Sequence, residues 1–472
     1  MLPSDDDVRR LRDVVSSHGY TADAVLDLLG PRAHAALGRG DHVPALRATR
    51  GGSPLETLVR LFLLGTTEPD AAGVPESFLE RDGDGVRAAL DVRPYGTSDV
   101  DSWWVVSDLG TDVRPPPLRP DHVLGVGGAS LTLAQATIRD GVRTALDVGT
   151  GCGIQALHLS THADAVVATD RNPRALAVAR MTALLNGVSW ELLEGDLLAP
   201  VEGRRFDLVV ANPPFVVGPE RDDWAYRDSG AAGDAISERL VREAPSVLTV
   251  NGVAQLLANW LHRDGEDWRE RVASWVPEGV DALVLQREAQ DPAEYVALWQ
   301  RDAGDERRET AEAWLEWFER ERVEAVGFGI VTLRRTGASE ARVAVEDAPQ
   351  QVVQPIGPHL AAWLRRVGAL RRTDLLDATP RVAAGVTLEQ SAYAAEEGWE
   401  VATQALQQAH GLRWRAELDP VGVALVGACD GTRTVRDLAD VLAAAYEIDA
   451  TVLREGAERA LAHLVERGFL SL

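Results

Sequence analysis

Apolar residues recur along this chain in three successive rhythms. Over residues 1 to about 85 they fall at helical spacing, as in "LRDVVSSHGYTADAVLDLLG" and "PLETLVRLFLLG". Each stretch closes on a glycine, which suits a helix C-terminus. "VRAALDVRPYGTSDVDSWWVVSDLG" then predicts two strands around a Pro-Tyr-Gly-Thr-Ser turn. The run "RPPPLRP", residues 114 to 120, is a stiff linker and a boundary. From about 121 to 335 short, β-branched apolar runs alternate with helical segments: "RTALDVG", "AVVATD", "ELLEGD", "FDLVVAN", "GVAQLLAN", "DALVLQ" and "GFGIVTLRR". That alternation predicts a parallel sheet wrapped by helices. Residues 288 to 326 interrupt it with an acidic, arginine-rich helical insertion, Trp314 and Trp317 on one face. The remainder, about 345 to 472, reads as helical and rich in Ala and Leu. Three domains are therefore expected: 1–120, helical plus a hairpin; 121–335, the α/β sheet domain; and 345–472.

Composition narrows the classes. A chain of 472 residues is too long for one hydrophobic core. No run is apolar enough to span a membrane, and "MLPSDDDVRR" carries acids where a secretory signal carries bases, so a cytoplasmic location is expected. Two cysteines far apart, Cys152 and Cys429, make neither a disulfide framework nor a zinc site, and no metal is expected. The net charge of −25 argues against non-specific DNA binding, which draws its affinity from cations that displace counterions. The 48 basic residues are all arginines, as codon bias in a GC-rich genome produces.

Chemistry enters at "LDVGTGCGIQ", where the first strand of the α/β region meets a glycine-rich turn. Gly149, Gly151 and Gly153 let the backbone bend and let a ligand approach it closely. A phosphate-cradling loop needs Gly-Lys-Ser/Thr, and the chain has no lysine. A dinucleotide fingerprint needs a sixth-position glycine, where Ile154 stands. An acid two residues ahead of G-x-G-x-G, Asp147, instead suits S-adenosylmethionine, its carboxylate facing the cationic amino-acid end. Read alone, the turn is equally a tight connection with no ligand. Two further acids close predicted strands: Asp170, placed to accept ribose hydroxyls, and Asp196, placed to accept from an adenine amino group. Ligands of open α/β sheets bind at that edge.

"FDLVVANPPFVVG" supplies the last element, a buried strand that stops at Asn212-Pro213-Pro214-Phe215. The stretch resembles the Asn-Pro-Pro-Phe/Tyr strand end of enzymes that methylate an amino group on a π system, a poor nucleophile because its lone pair is delocalised. The Asn212 side-chain oxygen and the Pro213 carbonyl can accept its two protons and turn the lone pair outward. The prolines fix that backbone, and Phe215 offers a face for stacking, worth about 1–3 kcal/mol for a base.

Together "LDVGTGCG", "ATDRNPRALAVARMTALLNG", "LLEGDLL" and "FDLVVANPPFVVG" resemble the class I S-adenosylmethionine-dependent methyltransferases. More narrowly they resemble the amino/amide-nitrogen branch with Asn-Pro-Pro-Phe/Tyr, which includes release-factor glutamine and rRNA/tRNA N-methyltransferases. The resemblance covers roughly residues 120 to 260. It implies a Rossmann-like seven-stranded sheet, flanked here by a mainly helical N-terminal domain and a helical, winged-helix-like C-terminal domain. The latter reading rests on "DGTRTVRDLADVL" and "ALAHLVERGFL". The resemblance further implies S-adenosyl-L-methionine held by Asp147, Gly149, Gly151, Gly153, Asp170, Asp196 and Asn212. Catalysis is then expected from Asn212, Pro213, Pro214 and Phe215 on an RNA base or the glutamine of a translation-related protein. Phe215 stands where glutamine-directed members usually carry tyrosine, while Gly230, Gly233 and Asp234 match their glycine-rich loop loosely, so both acceptors stay open. A small molecule or peptide of specialised metabolism, under a roof formed by 288–326, is the alternative acceptor. A non-catalytic cofactor-binding scaffold is a further alternative, which an intact Asn212-Pro213-Pro214-Phe215 disfavours. Arg365, Arg366, Arg371, Arg372 and Arg381 make the densest basic stretch, as an RNA-facing patch or as a solvated helix face. The glycines of "HVLGVGGASLTLAQAT" form a lid or an ordinary connection.

Overall fold

A computed structural model describes residues 2–97, 100–111, 113–114, 118–214, 216–219, 233–303, 307–396 and 398–472. The chain divides into two compact units. One comprises Met1–Ala134, Asp140–Val284 and Glu288–Val345; the other comprises Gln135–Arg139, Leu285–Arg287 and Glu346–Leu472.

A mixed sheet centres the first unit. Its strands are β1 (Val142–Val148), β2 (Ala163–Asp170), β3 (Glu191–Glu194), β4 (Phe206–Ala211), β5 (Leu248–Arg263), β6 (Val280–Gln290), β7 (Val323–Arg335) and β8 (Val343–Asp347). Their spatial order is β8-β6-β7-β5-β4-β1-β2-β3. β3, β2, β1, β4 and β5 run parallel, and β7 lies antiparallel to β5. The expected Rossmann-like sheet is present, with an eighth strand at its edge. Central β1 buries Ala145 to Val148 without a break, as a strand covered on both faces must. From β1 the chain steps outward to β2 and β3, then returns to the opposite side of β1 as β4. That reversal makes the gap between β1 and β4 the topological switch point, where such sheets bind ligands.

Helices follow from local signals. Asn172 caps α2 (Pro173–Asn186) by accepting the Arg174 N–H, Pro173 opens it, and Gly187 closes it at φ +67°. α1 (Ile154–Leu159) is a single short stretch after the glycine turn. α3 (Ala235–Glu243) precedes β5, and α4 (Pro292–Ala303) and α5 (Arg308–Arg320) fill the span between β6 and β7. Tyr295, Trp317 and Phe318 from these last two helices are buried in one cluster with Val217 and Leu261.

The N-terminal region packs on α2. Val8, Leu11 and Val15 of the helix Asp5–Ser17 are buried at helical spacing and share a core with Val178, Met181 and Leu185. The predicted hairpin forms as strands Asp91–Thr97 and Val100–Ser107. The Asn186 side chain exchanges hydrogen bonds with the backbone of Trp104, at 3.0 and 2.8 Å.

The second unit holds α6 (Gly357–Leu370), strands β9 (Val386–Ala395), β10 (Gly398–Gln408) and β11 (Arg415–Glu417), and helices α7 (Pro420–Gly427), α8 (Val435–Tyr446) and α9 (Ala450–Arg467). The three strands form an antiparallel sheet in numerical order. This sheet was not foreseen in a region read as helical. Its strands are rich in Ala, Ser, Thr, Gln and Glu and are mostly exposed on both sides, so no buried period marks them.

Candidate active site

Strand ends β1, β2 and β4 and the turn after β3 line a cavity of about 430 Å³. Gly149, Gly151, Asp170, Asp196, Asn212, Pro213 and Pro214 all contribute to its wall. Asp147 and Gly153 do not. Phe215 lies outside the described residues, as do residues 220–232 of the following loop, Gly230 among them.

The glycine turn is built around a buried carboxylate. Asp147 Oδ2 accepts the Thr150 hydroxyl at 2.6 Å and the Ala156 N–H at 3.1 Å. Ala156 is the third residue of α1, whose N-cap, Gly153, has no side chain to satisfy the helix's first N–H groups. Asp147 therefore caps α1 from beneath the turn and does not project into the cavity. Its Oδ1 is buried and unpartnered among the described residues. Burial pushes its carboxyl up to about 7; the Thr150 and Ala156 bonds oppose that shift, and the nearby Asp170 adds to it. Gly153 serves packing: a Cβ there would meet the Trp190 ring at 2.7 Å. Gly149 and Gly151 also have positive φ, 71° and 53°, but a Cβ on either meets no protein atom closer than 3.9 Å. Cys152 is buried, and burial raises its thiol to about 12, so no reactive thiolate forms.

Asp170 bridges two loops. Its Oδ2 accepts the Gly151 N–H at 3.0 Å and its Oδ1 the Asn172 N–H at 2.8 Å. Burial raises its pKa, against the lowering effect of those two N–H groups. Each oxygen keeps a second acceptor direction. Asp196 differs: it is exposed and pairs with Arg239 at 2.6 Å.

Across the switch point, β4 ends at Ala211, opposite Val148 of β1. Asn212 follows, with its carbonyl 3.9 Å from where a Gly149 Cβ would stand. Proline has no N–H, so Pro213 and Pro214 cannot continue the ladder. The Asn212 amide nitrogen donates to Ser130 Oγ at 3.4 Å, and no described residue donates to its Oδ1. Gln155 Nε2 in turn donates to the Ser130 carbonyl at 2.7 Å.

Several wall residues were not picked out in the sequence. Segment 122–130 forms one side, including the buried His122 and Ser130; only its glycines had hinted at a role. Arg174 binds Asp108 through Nε at 3.0 Å, and Asp108 also accepts the Val123 N–H at 2.9 Å, fixing that segment's start. Leu298 and Trp299 of α4 reach the wall as well, 83 and more residues from the motif in a part of the chain with no signature. The loop after the motif is pinched by a Gly233 N–H to Gly218 carbonyl bond of 3.0 Å. Asp234 at its end is buried in a two-point pair with Arg271, at 2.7 and 2.8 Å. In the second unit, Arg366 is drawn out of the basic stretch: it donates to the Glu466 carbonyl at 3.0 Å, and burial lowers it to about 10. Among the described residues no cluster of His, Cys, Asp and Glu can hold a metal ion, and no helix is long and apolar enough to cross a membrane.

Residues 126–264 match the family model of the methyltransferase small domain. Residues 17–89 and 359–472 match families described as domains of unknown function, DUF7059 and DUF7782. The release factor glutamine methyltransferase of Deinococcus radiodurans is 38% identical over 122 residues, 24% of this chain and 44% of that protein. The ribosomal RNA small subunit methyltransferase C of Alcanivorax borkumensis is 32% identical over 114 residues, 24% of this chain and 31% of that protein. The chain thus spans less than half the length of these two curated relatives. A solved Thermus thermophilus 16S rRNA N2 G1207 methyltransferase, in complex with AdoMet and guanosine, is 18% identical, covering 52% of this chain and 59% of that one at a TM-score of 0.29. That superposition is too loose to bear on ligand or substrate.

Proposed function

We propose that this chain, whose residues 126–264 carry a methyltransferase small domain, binds S-adenosyl-L-methionine in the switch-point cavity and methylates a planar amino or amide nitrogen. One observation carries the reading: the glycine turn after β1 and Asn212-Pro213 after β4 meet on adjacent strands in one cavity, with the Asp170 carboxylate on its wall. Cavity and cofactor suit each other. Gly149 and Gly151 leave space where side chains would intrude, and Asp170 retains acceptor directions for ribose hydroxyls. When bound, the cofactor supplies an electrophilic methyl group on a sulfonium leaving group.

The chain's own part is positioning and electrostatic preorganisation. Asn212 Oδ1 accepts one proton of the acceptor nitrogen, and its amide nitrogen, tied to Ser130, keeps that oxygen oriented. The Pro213 carbonyl accepts the second proton. Both protons are then held away from the π plane, and the nitrogen lone pair is released for attack. Pro214 fixes the backbone beyond.

An RNA base or a protein glutamine is the acceptor in this reading, in keeping with what the two curated relatives' names describe. A small-molecule acceptor draws specific support from Leu298 and Trp299, since helix α4 lends an apolar wall to the cavity. The test is transfer of labelled methyl into fractionated extract of cells lacking the protein. Label in RNA or protein supports the first reading, and label in small molecules alone supports the second. No transfer into any fraction, by a chain that binds the cofactor, would overturn catalysis and leave the scaffold.

A further inference from the structure

Beyond the pairing of β10 with β11 at Ala405–Gln407, strands β9 and β10 continue as a two-stranded ribbon that is largely exposed among the described residues. Opposite residues share a face, and so do alternate residues along a strand. The register pairs Leu388 with Leu406, Ala392 with Val401 and Ala394 with Trp399, which puts these six on one face. The other face carries Glu389, Ser391, Tyr393, Thr403 and Glu400, the last four hydrogen-bonded in pairs. Ser391 and Thr403 share a hydrogen bond of 2.6 Å, and the Tyr393 hydroxyl donates to Glu400 at 2.6 Å.

The face of Trp399 carries one such pair, Gln390 donating to Gln404 at 2.7 Å between the Leu388–Leu406 and Ala392–Val401 pairs; its apolar residues toward the tip have no such closure. Leu406 at the base is buried, but Trp399 is 78% exposed, Val401 52% and Leu388 45%. A lone ribbon is marginally stable in water, and an exposed aromatic on such a ribbon is a recognition feature or an aggregation hazard. β9 pairs only with β10, so its outer edge is also unpaired along Val386–Ala395 among the described residues. The usual guards of such an edge, lysine and proline, are both missing from it.

Charge selects the partner. Between Arg381 and Arg413 the sequence has no lysine or arginine and four glutamates, at 389, 396, 397 and 400. RNA or an anionic membrane is repelled by that set, and a second copy would bring eight glutamates together. We infer that this ribbon docks an arginine- or lysine-rich protein segment with apolar residues between its charges, a third strand laid on the free edge of β9, its apolar side chains on the face of Trp399 and Val401 and its cations on the opposite face with Glu389 and Glu400. Strand addition of this kind draws affinity from main-chain bonds and specificity from alternate side chains. The inference does not depend on methyl transfer.

The probe is a synthetic strand peptide of alternating arginine and leucine, titrated into the full chain at several salt concentrations. A glutamate–leucine peptide and a single-stranded RNA serve as comparisons, and self-association is followed by sedimentation. The arginine–leucine peptide is expected to bind, more weakly as salt rises, and the other two not to. Trp399→Ser with Val401→Ser should weaken it at least tenfold, and Glu389→Lys with Glu396→Lys comparably. Melting temperature and cofactor affinity, which the ribbon does not serve, should hold in both variants. Equal peptide binding by wild type and variants would overturn the inference. So would self-association or RNA binding that the Trp399 and Val401 changes abolish, since the occupant would then be a second copy or RNA.

Discussion

Replacing Asp170 with alanine tests the proposed cofactor site at its most exacting point. The carboxylate accepts two backbone N–H groups, from Gly151 and Asn172, and each oxygen has a direction left for a ribose hydroxyl. Losing an ionised acceptor for such hydroxyls costs about 1.5–3 kcal/mol, which is roughly tenfold to a hundredfold in affinity. The fold should suffer less. Two N–H groups lose their acceptor, but they border the open cavity, and the burial that raises the Asp170 pKa works against folding with the charge in place. A net loss of about 1–2 kcal/mol is expected. Asp196→Ala is the internal comparison, the same residue type on the same cavity wall. Its carboxylate is 53% exposed and already held by Arg239, so its loss should move affinity by about fivefold or less. Titration calorimetry with S-adenosylmethionine measures both. Unchanged affinity in Asp170→Ala, or an effect of Asp196→Ala as large, refutes the assignment of the ribose to the end of β2.

Further expectations follow from the same geometry. Asn212→Ala should retain cofactor affinity and lose about 10²–10³ in turnover, by analogy with loss of a preorganised oxyanion-hole donor; single-turnover rates on the identified acceptor decide it. Asp147, with its carboxyl raised to about 7 from 3.8, binds a proton in the folded state that the unfolded chain has lost between those values. Its contribution is therefore greatest below about pH 4 and declines as pH rises toward 7, by up to about 4 kcal/mol. Asp147→Asn keeps an acceptor for Thr150 and Ala156, so its denaturant midpoint should fall less than wild type's across that window; parallel pH profiles contradict the burial argument. Gly153→Ala places a Cβ 2.7 Å from the Trp190 ring at φ +83° and should cost about 2–4 kcal/mol of stability. Gly151→Ala, with open space around its Cβ, should cost the fold about 1 kcal/mol and show its larger effect in cofactor affinity; a thermal melt and a titration on each separate the two glycines.

The sequence carried what depends on neighbours along the chain. Strand-ending acids, the glycine turn, the Asn172-Pro173 helix start and the proline stop after Asn212 are local, because each is a backbone requirement met by residue type within a few positions. They identified the sheet, the edge at which the cavity lies and seven residues of its wall. Tertiary structure alone decided which groups face the cavity. Asp147 and Asp170 both look like strand-end acids, but one turns under the loop to cap α1 and the other faces the cavity, since only the first lies within reach of the bare N-terminus at Gly153. Gly151 and Gly153 share a spacing and a positive φ, and it is Trp190, 37 residues beyond Gly153, that makes the second a packing position. Leu298 and Trp299 come to the wall through packing of the insertion, which no local pattern encodes. The ribbon of the second unit escaped notice for the opposite reason: it is mostly exposed on both faces, and hydrophobic periodicity reports burial, so a strand pair that buries only Ala405 and Leu406 leaves no rhythm to read.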